Sequence, residues 1–598
     1  MYRFTAQLFG ITIFALALIW LADPGDASQL DSSRPEPVLW ADTVHIDLDQ
    51  PHTATESQRK QTGDSFLSSI KKLSQTAFSI RSHYMEDVDA DEIIKSGIEG
   101  MLSNLDRFSV LMEAEAYDEL MESTHGKYQG LGMQIDARED RIMIISPIEG
   151  TPAYRKGLRA GDIIWEINGK DTEGMTSTEA VGMMRGEAGT SVTLTIKRTG
   201  IDEPMEFEIE RAVIELKSVN YYGLLPGTDV GYVRLSRFAE ETSHELRDAV
   251  TSLNSDSASA LILDLRSNGG GLLDQAKEVA ELFLKEGREI VYTKGREPSS
   301  ERHYRSERPP LFPEDKPLIV LTDEGTASAS EIVAGAIQDW DRGLVVGSPT
   351  YGKGLVQQIF PVSNDGSLAL KLTTAKYYVP SGRCIQKPER QAKPGHEIEK
   401  EEDGDSLVVA EKEIFYTNGG RVVYGGGGIL PDVDVERETW KPIEINLERK
   451  SMFFNFAIQY VAEHPNLKAD FEVTDAMVDE FRKFIADQDF TYKSALQLSL
   501  DDLRQTVTDE DKEALFGSAI EDMEKLVDSE KEADFERSLP YIKKAIKREI
   551  VSAVFGEKGV YEHILFKTDE TLLRALKILE EPSEYSKLMS EGMKKAEL

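Results

Sequence analysis

Leu318-Ile319-Val320-Leu321 leads through Thr322-Asp323-Glu324-Gly325-Thr326-Ala327-Ser328 into Ala329-Ser330-Glu331-Ile332-Val333-Ala334-Gly335-Ala336-Ile337-Gln338. The first four residues are a short continuous apolar run bounded by a turn, the pattern of a strand covered on both faces. The stretch from Ala329 to Gln338 reads as a helix. Two further apolar runs, Ala260-Leu261-Ile262-Leu263-Asp264-Leu265 and Leu344-Val345-Val346, repeat the strand pattern, and Leu273–Leu284 reads as another helix. Alternation of buried strands and helices makes residues 213–440 an α/β block with a parallel sheet.

Ser328 sits at the turn between strand and helix, flanked by alanines that leave it uncrowded. Free N–H groups at a helix start favour a developing oxyanion, although alone the serine would pass for an ordinary helix cap. Lys353 follows 25 positions on, within Tyr351-Gly352-Lys353-Gly354-Leu355-Val356-Gln357. A nucleophile on a tight turn and an amine base from another element are what a Ser-Lys hydrolase needs. A free lysine has a pKa of about 10.4, so the base must lose roughly 3 units by burial, about 4 kcal/mol. Val356, Ile359 and Phe360 can supply apolar surroundings, and Gln357 can hold the amine without adding charge. A third segment, Asp264-Leu265-Arg266-Ser267-Asn268-Gly269-Gly270-Gly271, offers the bare backbone amides that an anion nest uses. The nine histidines lie away from Ser328 in sequence and have no metal-ligand spacing, so neither metal nor cofactor is expected.

A rival reading exists for the lysine. Gly347-Ser348-Pro349-Thr350-Tyr351-Gly352-Lys353 fits seven positions of a phosphate-binding loop. The eighth, which should be Ser or Thr, is Gly354, and the following Leu355–Val362 has strand character where that loop requires a helix.

The 598 residues suffice for three or four domains, each with its own core. With 107 Asp+Glu against 69 Lys+Arg, the net charge of −38 argues against nucleic acid as a partner. A single cysteine, Cys384, rules out an internal disulfide. Residues 1–27 carry Arg3, an apolar run from Leu8 to Ala22, and then Asp23-Pro24, which predicts an export signal or a membrane anchor. Residues 28–62 are polar and read as a linker, and residues 63–126 carry helical periodicity from Phe66 to Met121, a helical N-terminal domain. Residues 127–212 change to strands, with Asn168-Gly169 as a hairpin signal and a helix over Thr176–Arg185 that Ser177 is expected to cap. Residues 441–598 read as helical and charged, with no recognisable motif, and the acidic tract 397–405 as a solvated loop.

Taken together, these motifs resemble the carboxyl-terminal processing proteases, tail-specific serine peptidases. Segment 127–200 resembles a PDZ domain, and Gly130-Leu131-Gly132-Met133 matches its carboxylate-binding loop. Asp264–Leu273 matches a recurring family motif with Gly269 where proline is usual. Thr326–Glu331 and Tyr351–Gln357 match the nucleophile and lysine motifs, and Gly425–Val433 another recurring segment. Leu105-Asp106-Arg107-Phe108-Ser109 departs from the family by lacking proline after the aspartate, which puts a local turn in question.

The resemblance implies a multidomain α+β chain: helical N-terminal domain, PDZ domain, ClpP/crotonase-like α/β peptidase core and helical C-terminal extension. It implies Ser328 as nucleophile, Lys353 as base, Gln357 as its orienter, and the backbone amides of Gly270 and Ala329 as the oxyanion hole. Protein tails ending in apolar residues would add as a strand beside Met133–Ile135. Their carboxylate would lie at Gly130–Met133 and the last side chain against Leu131, Met133 and Val181. Asp339 matches an acidic position implicated in some relatives, with a structural helix-end role as the alternative. Arg185 stands as either a coupling residue or a surface charge. The expected setting is exported, periplasmic, soluble or anchored to the inner membrane. An adaptor, a homo-oligomer and a binding-only scaffold all stay open.

Overall fold

The computed structural model describes residues 56–138, 140–363, 368–388, 413–436 and 438–591. The apolar N-terminal run, residues 28–55 of the expected linker and the acidic tract 397–405 lie outside them. No helix among the described residues is long and apolar enough to cross a membrane.

Six strands form the central sheet, in the order Val219–Leu224, Val230–Leu235, Ala260–Asp264, Leu318–Thr322, Leu344–Gly347 and Val433–Asp434. The first pair is antiparallel and every later pair parallel. The three apolar runs read from the sequence are its middle strands, buried along their whole length. Such strands need both faces covered. The helices Thr242–Ser255, Leu273–Glu281 and Ala329–Asp339 cover one face through Leu246, Val250, Val279 and Val333. The other face is covered by the end of the chain: Tyr561, Phe566, Leu572, Ile578 and Leu579 pack on Tyr232, Ile262, Ile319 and Val346. Each large apolar side chain so buried contributes roughly 1.5–3 kcal/mol. The C-terminal extension is therefore part of the α/β core as well as an appendage to it.

A second, antiparallel sheet joins Val110–Glu113, Leu368–Tyr378, Glu289–Gly295 and Arg302–Arg305, with Leu355–Pro361 also paired to Leu368–Tyr378. Val110–Glu113 differs from the expected helical N-terminal domain. Four residues are too short for a period to show, and the pairing partner lies more than 250 residues away. The first helix, Glu56–His83, begins inside the expected linker. Its apolar residues Phe66, Leu67, Leu73 and Phe78 are exposed.

Between the two strands of a small ribbon, Lys127–Gly130 against Ala212–Glu215, lies a six-stranded domain with strand order Met133–Arg138, Arg141–Pro147, Ile163–Ile167, Ser191–Lys197, Met205–Glu210, and with Lys170–Asp171 paired to Ile163–Ile167 off that path. Ile142, Ile144, Ile164, Ala180 and Leu194 form its core. Asn168-Gly169, both at positive φ, turn Ile167 back onto Lys170 as the hairpin signal predicts. The helix Ser177–Met184 is capped by Thr176, with Glu179 completing a capping box, and not by Ser177. Thr-Ser-Thr-Glu offers several caps, and the glutamate three residues on selects the first.

Four of the helices beyond residue 440, Pro442–Arg449, Met452–Glu463, Asp475–Asp487 and Leu539–Val560, share a core around Phe453, Phe456, Phe481, Ile542 and Ile546. Met452–Glu463 also meets the six-stranded domain. A Cβ at Gly161 would lie 2.4 Å from Cγ2 of Ile458. Gly161 has φ +83°, so glycine serves both the turn and the close approach.

Candidate active site

Ser328 begins the helix Ala329–Asp339 with φ 57° and ψ −118°, a backbone conformation that costs a non-glycine residue about 1–3 kcal/mol. Its surroundings over-determine that conformation. The Ser328 N–H donates to the Glu331 carboxylate at 2.8 Å, and the Ser328 carbonyl accepts from the N–H groups of Glu331 and Ile332. One residue back, the Ala327 N–H donates to the Asn268 carbonyl at 2.9 Å. The strained turn presents the hydroxyl outside the sheet's C-terminal edge, where ligands of open parallel sheets bind.

Glu331 joins this turn to the lysine loop. Fully buried, its carboxylate accepts the N–H groups of Gly352 at 2.8 Å and Lys353 at 2.9 Å, and the Thr350 hydroxyl. Burial pushes its pKa up to about 7, with those donors pulling the other way. On the opposite side the buried Tyr377 hydroxyl reaches the carbonyls of both Ser328 and Lys353. The two loops are thus tied through their backbones by one acceptor and one donor. Sequence reading placed Glu331 in the nucleophile motif without a role. A glutamate inside an otherwise apolar helix was the available signal.

Lys353 Nζ donates to Gln357 Oε1 at 3.0 Å, and Gln357 Nε2 donates to the Phe108 carbonyl at 3.1 Å. The Phe108 ring lies 4.8 Å from the ammonium. Burial first, then the nearby positive charge of Lys371, brings the Lys353 pKa down to about 8. Ser328 Oγ has no hydrogen-bond partner among the described residues, so the amine rests on glutamine rather than on the hydroxyl. Phe108 was not expected here. It arrives from the segment lacking the family's proline, and Asp106 closes that turn instead by accepting the N–H groups of Phe108 and Ser109 and the Thr373 hydroxyl.

The glycine loop faces the nucleophile. Gly270 has φ +97°, and a Cβ there would lie 2.7 Å from Ser328 Cβ. The Ala329 N–H has no partner among the described residues, but the Gly270 N–H donates to Asn268 Oδ1 at 2.9 Å. The sequence reading expects two available amides, and the buried Asn268 side chain has taken one by folding over its own turn. The loop's start is fixed by Asp264, which accepts from Arg234 at 2.9 Å, Arg266 at 2.6 Å and the Tyr232 hydroxyl at 2.8 Å. Burial alone would raise the Asp264 pKa, but the Arg266 and Arg234 guanidiniums outweigh it and hold the carboxyl well below its ordinary value.

Asp339 stands elsewhere, in a fully buried pair with Arg383 at 2.8 Å, and also accepts the Ser381 N–H. In the six-stranded domain, Gly130 ends the ribbon and Leu131 is buried in the core. Met133 starts the strand facing the helix of Val181. Burial raises the pKa of the Tyr128 hydroxyl, with the Arg185 guanidinium and then the Gly132 backbone N–H pulling the other way. Arg185, at the helix end, lies over the Tyr128 ring at 5.3 Å and pairs with Glu122 at 2.8 Å. Strand Leu355–Pro361 follows Lys353 directly, so the helix that a phosphate-binding loop needs is absent there.

Comparison with known proteins accords with this layout. Residues 229–398 match peptidase family S41, 120–197 a PDZ domain, and 38–116 the N-terminal domain of the activating protease CtpB. Residues 443–579, in which the sequence showed no motif, match the C-terminal helical domain of a probable PDZ-protease. The carboxy-terminal-processing protease of Bartonella bacilliformis is 44% identical over 311 residues, 51% of this chain and 70% of its own. CtpA of Bacillus subtilis is 35% identical, covering 54% and 68%, and CtpB of the same organism 32%, covering 57% and 71%. A solved photosystem II D1 C-terminal processing protease aligns at 26% identity over 60% of this chain and 86% of its own, with a TM-score of 0.33, and carries no argument. With its peptidase core, its PDZ domain and relatives this similar over most of their length, the chain belongs to the carboxy-terminal processing proteases, serine peptidases of family S41.

Proposed function

We propose that this protease works outside the cytoplasm as a Ser-Lys endopeptidase selecting proteins by their apolar C-terminal tails. The observation that carries the catalytic part is the buried Lys353 amine on Gln357, in a loop that Glu331 and Tyr377 tie to the nucleophile turn. The neutral amine takes the proton of Ser328 Oγ as the oxygen attacks the scissile carbonyl carbon. The oxyanion takes the free Ala329 N–H, and the Gly270 N–H once it turns away from Asn268 Oδ1. The Lys353 ammonium then protonates the leaving amine, whose departure leaves an acyl-Ser328. Water activated by the same amine releases the product. For this the amine leaves Gln357 for the hydroxyl.

A substrate tail pairs with Met133–Ile135 in the groove beside Val181, its carboxylate at Gly130–Met133. The Tyr128 hydroxyl lies near the Gly132 amide that the carboxylate needs, and Arg185 lies over the Tyr128 ring. The apolar run at residues 8–22 supports export, with periplasmic release or inner-membrane anchoring. An adaptor and self-association fit the same reading. Degradation of a protein with an apolar tail tests it, against Ser328→Ala and against the same tail ending in Asp-Asp. Cleavage is expected to need both Ser328 and the apolar tail. Cleavage indifferent to Ser328 refutes the site, and indifference to the tail refutes the selection.

A further inference from the structure

The ion pair between Asp569 and Arg266 links the end of the chain to the loop facing the nucleophile. Asp569 precedes the helix Glu570–Glu580 and accepts the Leu572 N–H at 2.9 Å, which fixes its carboxylate. That carboxylate receives Arg266 at 2.8 Å, and the same guanidinium grips Asp264. Arg266 is only 20% exposed and Asp569 14%, so the pair is shielded from salt and competing water. From Arg266 the path to the nucleophile is short. Two residues on, the Asn268 carbonyl accepts both the Ala327 N–H and the Ser330 hydroxyl, each at 2.9 Å, and Gly270 presses on Ser328.

We propose that Asp569 is a positioning residue for peptide hydrolysis: through Arg266 the C-terminal extension sets the glycine loop against Ser328. The inference rests on Ser328 being the nucleophile. Without Asp569, Arg266 keeps Asp264 but loses its second anchor, and the loop gains freedom where the oxyanion must be met within a few tenths of an ångström. Substrate binding in the PDZ domain is untouched, so the loss falls on kcat.

The test uses the full chain and Asp569→Asn. Asparagine still caps the helix, so the change isolates the charge. Asp569→Ser, also a cap, is read the same way if the first variant does not fold. Arg574→Ala breaks the Arg574–Glu584 pair on the same segment and serves as the stability control. The expected result is a kcat roughly 10-fold lower with KM within about 2-fold, while Arg574→Ala keeps wild-type kcat at a similar Tm. A kcat within about 2-fold of wild type, or a loss in both variants that tracks Tm, overturns the proposal. Ser328→Ala is assayed in parallel. If it still cleaves, the nucleophile assignment has failed and the proposal falls with it.

Discussion

The Lys353 amine should show itself in the pH dependence of the reaction. Its pKa of about 8 means that a tenth of it is neutral near pH 7, against ~0.03% for an ordinary lysine, a ~300-fold gain in usable base. The kcat/KM of peptide cleavage is therefore expected to rise about 10-fold per pH unit below about 8 and to level off above it. Lys371 is the second cause of the depression, after burial. Removing its charge in Lys371→Met should move the limb upward by roughly 0.5 unit and lower kcat/KM ~3-fold at pH 7, with full recovery above about pH 9. The same shift has a stability side. The folded protein holds its proton less tightly than the unfolded chain, so unfolding takes up protons and stability increases as pH rises from about 8 towards 10.5. Lys353→Met, inactive, should be stabilised near pH 7 by up to ~3 kcal/mol, read as a higher denaturant midpoint. A limb near pH 6.5, a limb unmoved or lowered in Lys371→Met, or activity surviving in Lys353→Met would refute the argument.

Glu331→Gln replaces one acceptor oxygen by a donor facing amide N–H groups; both Tm and kcat should fall, by about 2–3 kcal/mol of stability in urea unfolding. Arg383→Ala leaves Asp339 as an unpaired buried charge and should cost about 3–5 kcal/mol, while whatever enzyme remains folded keeps its KM. Gly161→Val places a side chain against Ile458 at positive φ and should loosen the PDZ domain from the helix Met452–Glu463, seen as faster amide exchange in that helix.

What could be read in advance was local. Buried strands announce themselves as uninterrupted apolar runs, and Asn168-Gly169 fixes a hairpin through its own backbone preferences. Ser328, Lys353 and Gln357 sit in short motifs, and the structure brings their two loops together. What could not be read was set by distant partners. Val110–Glu113 is a strand only because Leu368–Lys371 lies beside it. Phe108 enters the site across more than 240 residues of sequence, and Asp569 meets Arg266 across 303. The Gly270 amide is occupied because a side chain two residues away reaches it, a choice of rotamer that sequence does not state. Exposed Phe66 and Phe78 have the spacing of a core stripe but no core to face among the described residues.

The covering of the central sheet by residues 561–589 has a consequence in time. A chain is made from its N-terminus, so Ser328, Lys353 and the glycine loop all emerge while one face of their sheet is still bare. Only when the last helices arrive is that face closed and Arg266 given its second anchor. A chain still being synthesised, or one clipped short, carries Ser328, Lys353 and Gln357 without the surface that closes their sheet.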